Sequence, residues 1–409
     1  MSASDLGSGR QGTVLVLNTG SSTIKYELVD VATGGRPARG IVERVGDTEP
    51  GRITHHRDGG SPYVQELRVP DHRTGLWAVL DAFKAAGPDL AAAPPAAVGH
   101  RVVHGGARFR EPVLIDEHVI DAIAQLAPLA PLHLPAGLDG IRVARAAFPG
   151  LPQVAVFDTA FHHTLPEEVF TYAVPAEWRE RYGVRRYGFH GTSVAYVSRR
   201  AAILLGREPD EVNLIVLHLG NGASATAVAG GRSVETSMGM TPMEGLVMGT
   251  RSGDVDPALP GYLARVAKLS ARSVEEALLR DSGLLALAGA GDMRTVRRRA
   301  DEGDPDARLA RAVYCHRIRK YVGAYYAVLP GRVDAIVFTG GVGEHDDGVR
   351  ADCLAGLERL GVAVDEGRNR AEDTSERVVS PPDAEVAVLV VPTDEEWEIA
   401  HETLALLGH

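Results

Sequence analysis

Four glycine-rich segments of this chain have the residue types that bind phosphate groups. They lie at residues 18–22, 220–222, 239–253 and 340–343, most of them directly after short apolar runs. Glycine has no side chain, so backbone N–H groups in such segments can closely approach phosphate oxygens. Lys25, Arg101, Arg251 and several histidines lie near these segments in sequence and supply positive charge. Together these features predict that the chain binds a phosphorylated ligand.

Two common phosphate-binding motifs are absent from the sequence. There is no G-x-x-x-x-G-K-[S/T] pattern, which excludes a P-loop protein. There is also no G-x-G-x-x-G fingerprint in the strand–turn–helix context that dinucleotide binding requires. A carboxylate, Asp158, follows the apolar run 153–157. Because α/β proteins place their sites where strands end, Asp158 is a candidate site residue.

The elements that must position these residues alternate between strand and helix patterns. Runs 14–17 and 24–29, joined by a Gly/Ser turn, predict a β-hairpin, and runs 213–219 and 223–228 repeat that plan around Gly-Asn-Gly. A repeat of this kind is typical of a duplicated nucleotide-binding fold. Further strands are predicted at 97–103, 153–157, 335–339 and 386–391, and helices at 74–86, 120–126, 138–147, 273–280, 305–328 and 394–407. The alternation indicates an α/β protein.

Length and composition narrow the function classes. A chain of 409 residues is expected to form two domains, and a net charge of -11 argues against a nucleic-acid groove. The sparse cysteines, Cys315 and Cys353, indicate free thiols in a reducing compartment. No secretory leader or apolar run of about 18 residues is present, so we expect a cytoplasmic protein without a membrane span. Residues 1–11 are predicted to be a disordered lead, and 294–299 a solvated arginine-rich helix face or loop.

Six motifs in this sequence resemble the signatures of the acetate kinase family, and they occur in that family's order. They are VLVLNTGSSTIKYEL at 14–28, RRYGFHGTS at 185–193, HLGNGAS at 218–224, TSMGMTPMEGLVMGTRSGDVDP at 236–257, FTGGVGEH at 338–345 and VPTDEEWEIAHET at 391–403. The resemblance implies a two-domain actin-like ATPase fold, a duplicated ribonuclease H-like α/β architecture with an ATP cleft between the domains. It implies domains at 12–160 plus 394–409 and at 161–393, and a homodimer. It also implies reversible phosphoryl transfer from ATP to acetate, giving acetyl phosphate and ADP.

The resemblance assigns catalytic roles to four residues. Arg101 and Arg251 match the arginines that hold the carboxylate and the migrating phosphoryl group, and His190 matches the histidine that stabilises the transition state. Asp158 matches a residue described as a proton donor or acceptor. A carboxylic acid titrates near about pH 4 and is already ionised at neutral pH. We therefore expect Asp158 to orient Arg251 or a magnesium-bound water instead.

The resemblance also implies the ligand contacts. The acyl pocket would be formed by Val103, Leu132, Phe189 and Pro242, with His133 either supporting the site or packing. ATP or ADP would contact Lys25, His218, Leu219, Gly220, Asn221, Gly222, Asp292, Met293, Arg294, Gly341, Val342, Gly343, Glu344 and His345. Mg²⁺, for which Mn²⁺ can substitute, would be held by Asn18 and Glu395. That pair requires the last helix to fold back onto the N-terminal domain.

The sequence departs from the family pattern at several positions. Leu134 to Gly137 replace the usual Asn-Pro-Ala-Asn, Val194 and His345 replace a His and an Asn, Glu235 replaces an Asp, and the loop before Asp292 is one residue short. The departures leave open which acid and which nucleotide are preferred. A propionate or butyrate kinase of the same family is therefore an alternative. A non-catalytic actin-like ATP-binding module is a second alternative, although it need not keep Arg101, His190 and Arg251 together.

Overall fold

The computed structural model describes residues 12–20, 22–131 and 133–408, so the predicted disordered lead at 1–11 lies outside the described residues. The strands are β1 (Thr13–Thr19), β2 (Thr23–Asp30), β3 (Ala38–Glu43), β4 (Gly51–Arg57), β5 (Tyr63–Leu67), β6 (Ala97–Val102), β7 (Val113–Leu114), β8 (Gln153–Phe157), β9 (Asn213–Leu219), β10 (Ala223–Ala229), β11 (Arg232–Thr236), β12 (Ala335–Thr339), β13 (Arg377–Val378) and β14 (Ala387–Val390). The helices are α1 (His72–Ala86), α2 (Glu117–Gln125), α3 (Leu134–Ala147), α4 (Glu167–Phe170), α5 (Ala176–Tyr182), α6 (Gly191–Leu204), α7 (Leu259–Val266), α8 (Ala271–Arg280), α9 (Gly283–Ala288), α10 (Met293–Asp301), α11 (Pro305–Val328), α12 (Gly340–His345), α13 (Asp347–Leu354), α14 (Glu366–Arg370) and α15 (Glu395–Leu407). Short 3-10 turns occur at Ala127–Leu129, Ala160–Thr164, Pro209–Glu211 and Glu358–Leu360.

The chain divides into two compact units. Unit 1 is the described part of Met1–Ala160 with Asp394–His409, and unit 2 is Phe161–Thr393. Unit 1 is built on an eight-stranded sheet of order β5-β4-β3-β2-β1-β6-β8-β7. β1 to β5 pair antiparallel, whereas β1, β6 and β8 run parallel. The carboxyl ends of these three parallel strands therefore lie at one edge of the sheet.

Apolar side chains on both faces of β1 hold helices against the sheet of unit 1. Leu15 and Leu17 belong to a buried cluster with Leu76 and Val79 of α1. The C-terminal helix α15 packs against β1 and β6, and a Cβ on Gly99 of β6 would lie only 2.8 Å from the Thr403 hydroxyl. Glycine at position 99 is what allows this close approach.

Unit 2 repeats the strand arrangement of unit 1. Its six-stranded sheet has the order β11-β10-β9-β12-β14-β13, in which β9, β10 and β11 pair antiparallel and β9, β12 and β14 run parallel. The segment β11-β10-β9-β12-β14 thus matches β3-β2-β1-β6-β8 strand for strand. The predicted duplication is confirmed, and the fold is the two-domain actin-like ATPase fold expected from the sequence.

The hairpins and long helices are close to their predicted positions, but one prediction is wrong and three strands were missed. The glycine-rich segment 340–343 is the start of helix α12 and not a turn. Strands β3, β4 and β5 were not predicted at all. Within the described residues, no helix combines the length and the apolar content needed to cross a membrane.

Candidate active site

In unit 1, a buried ion pair forms where the parallel strands end. Arg101 lies near the end of β6 and Asp158 directly follows β8, its neighbour in the sheet. Arg101 Nε donates to Oδ1 of Asp158 at 3.0 Å and Nη2 to Oδ2 at 2.5 Å, while Nη1 donates to the Asn18 side-chain oxygen at 3.0 Å. The Asp158 side chain is only 3% exposed. The guanidinium is therefore held on two sides before any substrate binds.

A second carboxylate lies next to this pair. Glu395, the first residue of α15, has a carboxylate oxygen 4.0 Å from Nε of Arg101. Burial lowers the pKa of Arg101, but the charges of Asp158 and Glu395 outweigh it, so that pKa is raised. Burial raises the pKa of Glu395, and Asp158 adds to this effect while Arg101 opposes it. Lys25, which is exposed, stands opposite Asn18 in the β1–β2 register.

In unit 2, His190 occupies a backbone conformation that is unusual for any residue except glycine. Its φ of 59° is left-handed, and α6 begins at the next residue. The His190 Nδ1 is 3.0 Å from the Ser224 hydroxyl, and its ring stacks on His218 with centroids 4.2 Å apart. The His218 ring is hydrogen-bonded to Ser193, whose hydroxyl contacts Thr393. The imidazole of His190 is therefore fixed in orientation by a hydrogen bond and a stack.

Arg251 lies close to His190 within unit 2. Its Nη1 donates to the Pro242 carbonyl at 3.0 Å and contacts the Met248 sulfur at 3.7 Å, and no carboxylate among the described residues pairs with it. Burial accordingly lowers the pKa of Arg251. A Cβ placed on Gly222 would lie 3.4 Å from Nη1 of Arg251 and 3.5 Å from Nε2 of His190. These two side chains thus converge on the glycine-rich turn between β9 and β10.

The same turn forms part of a cavity of about 840 Å³ in unit 2. Eight of the residues expected to contact ATP line it, namely Gly220, Asn221, Asp292, Met293, Arg294, Gly341, Val342 and His345. The volume lies within the range of ligand pockets in proteins. Sequence elements separated by more than a hundred residues therefore supply one pocket next to Gly222.

The remaining residues expected to bind nucleotide lie outside the lining of this cavity. His218 and Leu219 are buried at the end of β9, and Glu344 accepts hydrogen bonds from the backbone N–H groups of Gly340 and Thr393. Gly222 contacts the Arg251 and His190 region, Gly343 is buried in α12, and Lys25 belongs to unit 1.

The expected acyl-pocket residues are distributed over both units. Val103 follows β6 in unit 1, whereas Phe189 and Pro242 belong to unit 2. Leu132 lies outside the described residues. His133 occupies the position just before α3 and makes no capping hydrogen bond with its side chain.

One sequence interpretation is wrong in part. Arg294 and Arg298 are largely solvated, but Arg297 is not, because its Nη1 donates to Asp346 at 2.9 Å and to Asp347 at 2.7 Å. Arg297 and Arg298 also line the cavity. No local pattern predicts these two contacts, since Asp346 and Asp347 lie about fifty residues further along the chain.

The residues that depart from the family pattern differ in their burial and in their contacts. Leu134 and Val194 are buried within α3 and α6, so they are packing residues in this fold. Glu235 lies 3.9 Å from Arg186. His345 is exposed and lines the cavity. Of Leu134, Val194, Glu235 and His345, His345 is the one that lines the cavity.

The duplicated sheets and the cavity at a strand end define the class of protein, a two-domain actin-like α/β ATPase. The chain belongs to the acetokinase family, whose sequence profile matches residues 13–401. It is 56% identical over 398 residues to an acetate kinase of Streptomyces griseus subsp. griseus, covering 97% of this chain and 96% of that one. This confirms the resemblance seen in the six motifs.

Solved structures agree with this assignment. The Porphyromonas gingivalis acetate kinase superposes with a TM-score of 0.91 at 42% identity, covering 97% of this chain and 99% of that one. A propionate kinase from Francisella tularensis subsp. tularensis SCHU S4 superposes with a TM-score of 0.89 at 39% identity, covering 95% and 98%.

Proposed function

We propose that this protein is an acetate kinase that reversibly transfers a phosphoryl group from ATP to acetate, giving ADP and acetyl phosphate. The observation that carries the proposal is Arg251, a half-buried guanidinium without a carboxylate partner among the described residues. It lies with His190 at the turn that also borders the 840 Å³ cavity. A desolvated cation in this position is suited to an anion that arrives with the substrate.

The proposed chemistry needs positioning and charge neutralisation more than proton transfer. An acetate oxygen attacks the γ-phosphorus of ATP, and the bond from that phosphorus to the β–γ bridging oxygen breaks, so ADP leaves with the electron pair. Negative charge is spread over the equatorial oxygens in the transition state. Arg251 and the imidazole of His190 stabilise that charge. Since acetate is ionised at neutral pH, no general base is required.

Arg101 is proposed to bind the anionic acid. Its Nε and one N–H of Nη2 are occupied by Asp158, and one N–H of Nη1 by Asn18. Among the described residues, these contacts leave one N–H on Nη1 and one on Nη2 for a carboxylate or phosphoryl oxygen. We therefore propose that Asp158 acts by holding Arg101. Its expected orientation of Arg251 or of a magnesium-bound water stays a prediction.

The residues expected to hold Mg²⁺ fit that ion chemically. Asn18 and Glu395 offer hard oxygen donors, and both contact or approach the same guanidinium. Burial and the nearby Asp158 raise the pKa of Glu395. A bound cation would favour the ionised form of this carboxylate. Bound Mg²⁺, or Mn²⁺ in its place, would neutralise charge on the phosphate oxygens of ATP.

Activity should appear as acyl phosphate. We expect the purified protein, given ATP, Mg²⁺, acetate and hydroxylamine, to form acetyl hydroxamate. Propionate should be used with a kcat/KM roughly 10-fold lower and butyrate lower still, because one methylene changes binding by about 1–3 kcal/mol.

The alternatives give different results in the same assay. A kcat/KM that is highest for propionate or butyrate would make the protein a propionate or butyrate kinase. This alternative is kept because a propionate kinase is among the similar structures. No hydroxamate from any of the three acids would support a non-catalytic ATP-binding module.

The Mg²⁺ dependence of turnover should distinguish Glu395 from its neighbour Glu396. Chelation with EDTA should abolish turnover and Mg²⁺ should restore it. Glu395→Gln should raise the Mg²⁺ concentration needed for half-maximal activity by roughly 10–100-fold. Glu396→Gln is the matched control, since it is the next residue of α15 and also a half-buried acid with a raised pKa. If only the Glu396 variant raises the Mg²⁺ concentration needed for half-maximal activity, Glu396 and not Glu395 is the metal ligand.

Two further expectations from the sequence are also part of the proposal. A homodimer and a cytoplasmic location are what the family resemblance and the composition predict.

A further inference from the structure

The segment 236–245 has no helix or strand beyond Thr236. Among the described residues, it provides the one carbonyl group to which the Arg251 side chain donates. That carbonyl belongs to Pro242 and lies 3.0 Å from Nη1 of Arg251. No carboxylate orients this guanidinium among the described residues, in contrast to Arg101 and its partner Asp158. Whatever fixes the position of Pro242 therefore also fixes Arg251.

The side chain of Arg186 binds backbone carbonyl groups in the first part of the segment 236–245. Its Nη1 lies 3.0, 3.2 and 3.1 Å from the carbonyl oxygens of Thr236, Ser237 and Met238, and its Nη2 donates to Oε1 of Glu244 at 2.8 Å. One half-buried guanidinium thus joins both ends of a nine-residue stretch. Since Pro242 lies between them, its position depends on Arg186.

Tyr172 holds the middle of the same segment. Its hydroxyl donates to Oε2 of Glu244 and accepts from the backbone N–H of Met240 at 3.0 Å. A Cβ on Gly239 would overlap both the Glu244 carboxylate and the Tyr172 hydroxyl, so a larger residue there would displace these two side chains. Both carboxylate oxygens of Glu244 are therefore hydrogen-bonded within unit 2, Oε1 to Arg186 and Oε2 to Tyr172.

We propose that Tyr172, Arg186 and Glu244, called here the clamp, are positioning residues for phosphoryl transfer: they hold the Pro242 carbonyl and, through it, the guanidinium of Arg251. The inference rests on the proposed acetate kinase function. It also goes beyond it, because none of the three side chains was among the expected site residues and none is required to touch a substrate. In the sequence, Arg186 and Glu244 lie within the motifs at 185–193 and 236–257, but only the fold shows that they bind each other.

The test is a set of variants with kinetic and binding readouts. Arg186→Ala should lower kcat on the order of 10²-fold, the loss expected when a reacting group is misplaced by about 1 Å. KM for ATP, and the Kd for ADP measured by calorimetry, should stay at the wild-type values. Arg181→Ala is the matched control, because Arg181 is exposed on α5 and, among the described residues, its ion pair is with the exposed Glu177 of the same helix. It should behave as wild type.

A double variant shows whether the clamp acts through Arg251. Since removing Arg251 removes what the clamp positions, Arg186→Ala/Arg251→Ala should be no slower than Arg251→Ala alone. Losses that multiply would overturn the inference, and so would wild-type kcat in Arg186→Ala. If Arg186→Ala does not fold, Tyr172→Phe decides the matter. It removes only a hydroxyl and should lower kcat by roughly 10-fold at an unchanged Kd for ADP. An inactive wild-type protein would instead refute the proposed function.

Discussion

Replacing Arg251 by alanine should lower kcat by roughly 10³-fold, the size of loss seen when a transition-state charge stabiliser is removed. The expected loss is large because Arg251 is desolvated and has no carboxylate partner among the described residues, so its charge is available to the phosphoryl group. The Kd for ADP should change little, since Arg251 does not line the cavity that holds most of the expected nucleotide contacts. Steady-state kinetics and calorimetry would measure the two quantities.

The same variant should fold normally, which makes its kinetics interpretable. Removing the Arg251 side chain frees one backbone carbonyl, that of Pro242, and leaves no buried carboxylate of the described residues without a partner. Arg251→Lys keeps the positive charge but loses the planar pair of donors, so its kcat should fall between those of the wild type and the alanine variant. Full activity in the alanine variant would show that Arg251 has no part in the reaction.

Much of the fold could be predicted because its central strands are strongly apolar. β1, β9 and β12 are buried along almost their whole length, and glycine-rich segments mark where they end. The missed strand β4 has little apolar character. In β4 (Gly51–Arg57), Ile53 is the single large apolar residue, and a buried His55 takes a core position by hydrogen bonding to the Tyr26 hydroxyl. A pairing of this kind depends on a residue 29 positions away and leaves no local pattern.

Helix α12 was missed for a different reason. Three of its first four residues are glycine, which disfavours a helix by about 1 kcal/mol each relative to alanine. The helix forms nevertheless because Glu344 accepts a hydrogen bond from the N–H of Gly340, at 2.9 Å, and from that of Thr393. Thr393 is 49 residues beyond Glu344, so a tertiary contact overrides the local preference.

Within the site, the motifs identified the groups but not their partners. Arg101 and Asp158 were both expected to be functional, and Asp158 was expected to orient Arg251 or a magnesium-bound water. The sequence did not indicate that Asp158 binds Arg101, as it does in the structure. The physical reason is strand order. β6 and β8 are parallel neighbours, so the residues at their carboxyl ends are brought together, and this adjacency cannot be read from residue spacing. The clamp was missed on the same grounds, since Tyr172 and Glu244 are separated by 72 positions.

Replacing Arg101 by alanine should be as damaging to turnover as the loss of Arg251, again roughly 10³-fold in kcat, but it should also destabilise the protein. The difference follows from the partners, because removing Arg101 leaves the Asp158 carboxylate, 3% exposed, without its bidentate partner. Breaking such a buried pair costs about 3 kcal/mol or more, which would appear as a lower midpoint in urea denaturation. The double variant Arg101→Ala/Asp158→Asn also removes the buried negative charge at position 158, so it should recover most of the stability while remaining inactive. Recovery of activity together with stability would mean that Arg101 only supports the fold and that the acid's carboxylate is bound elsewhere.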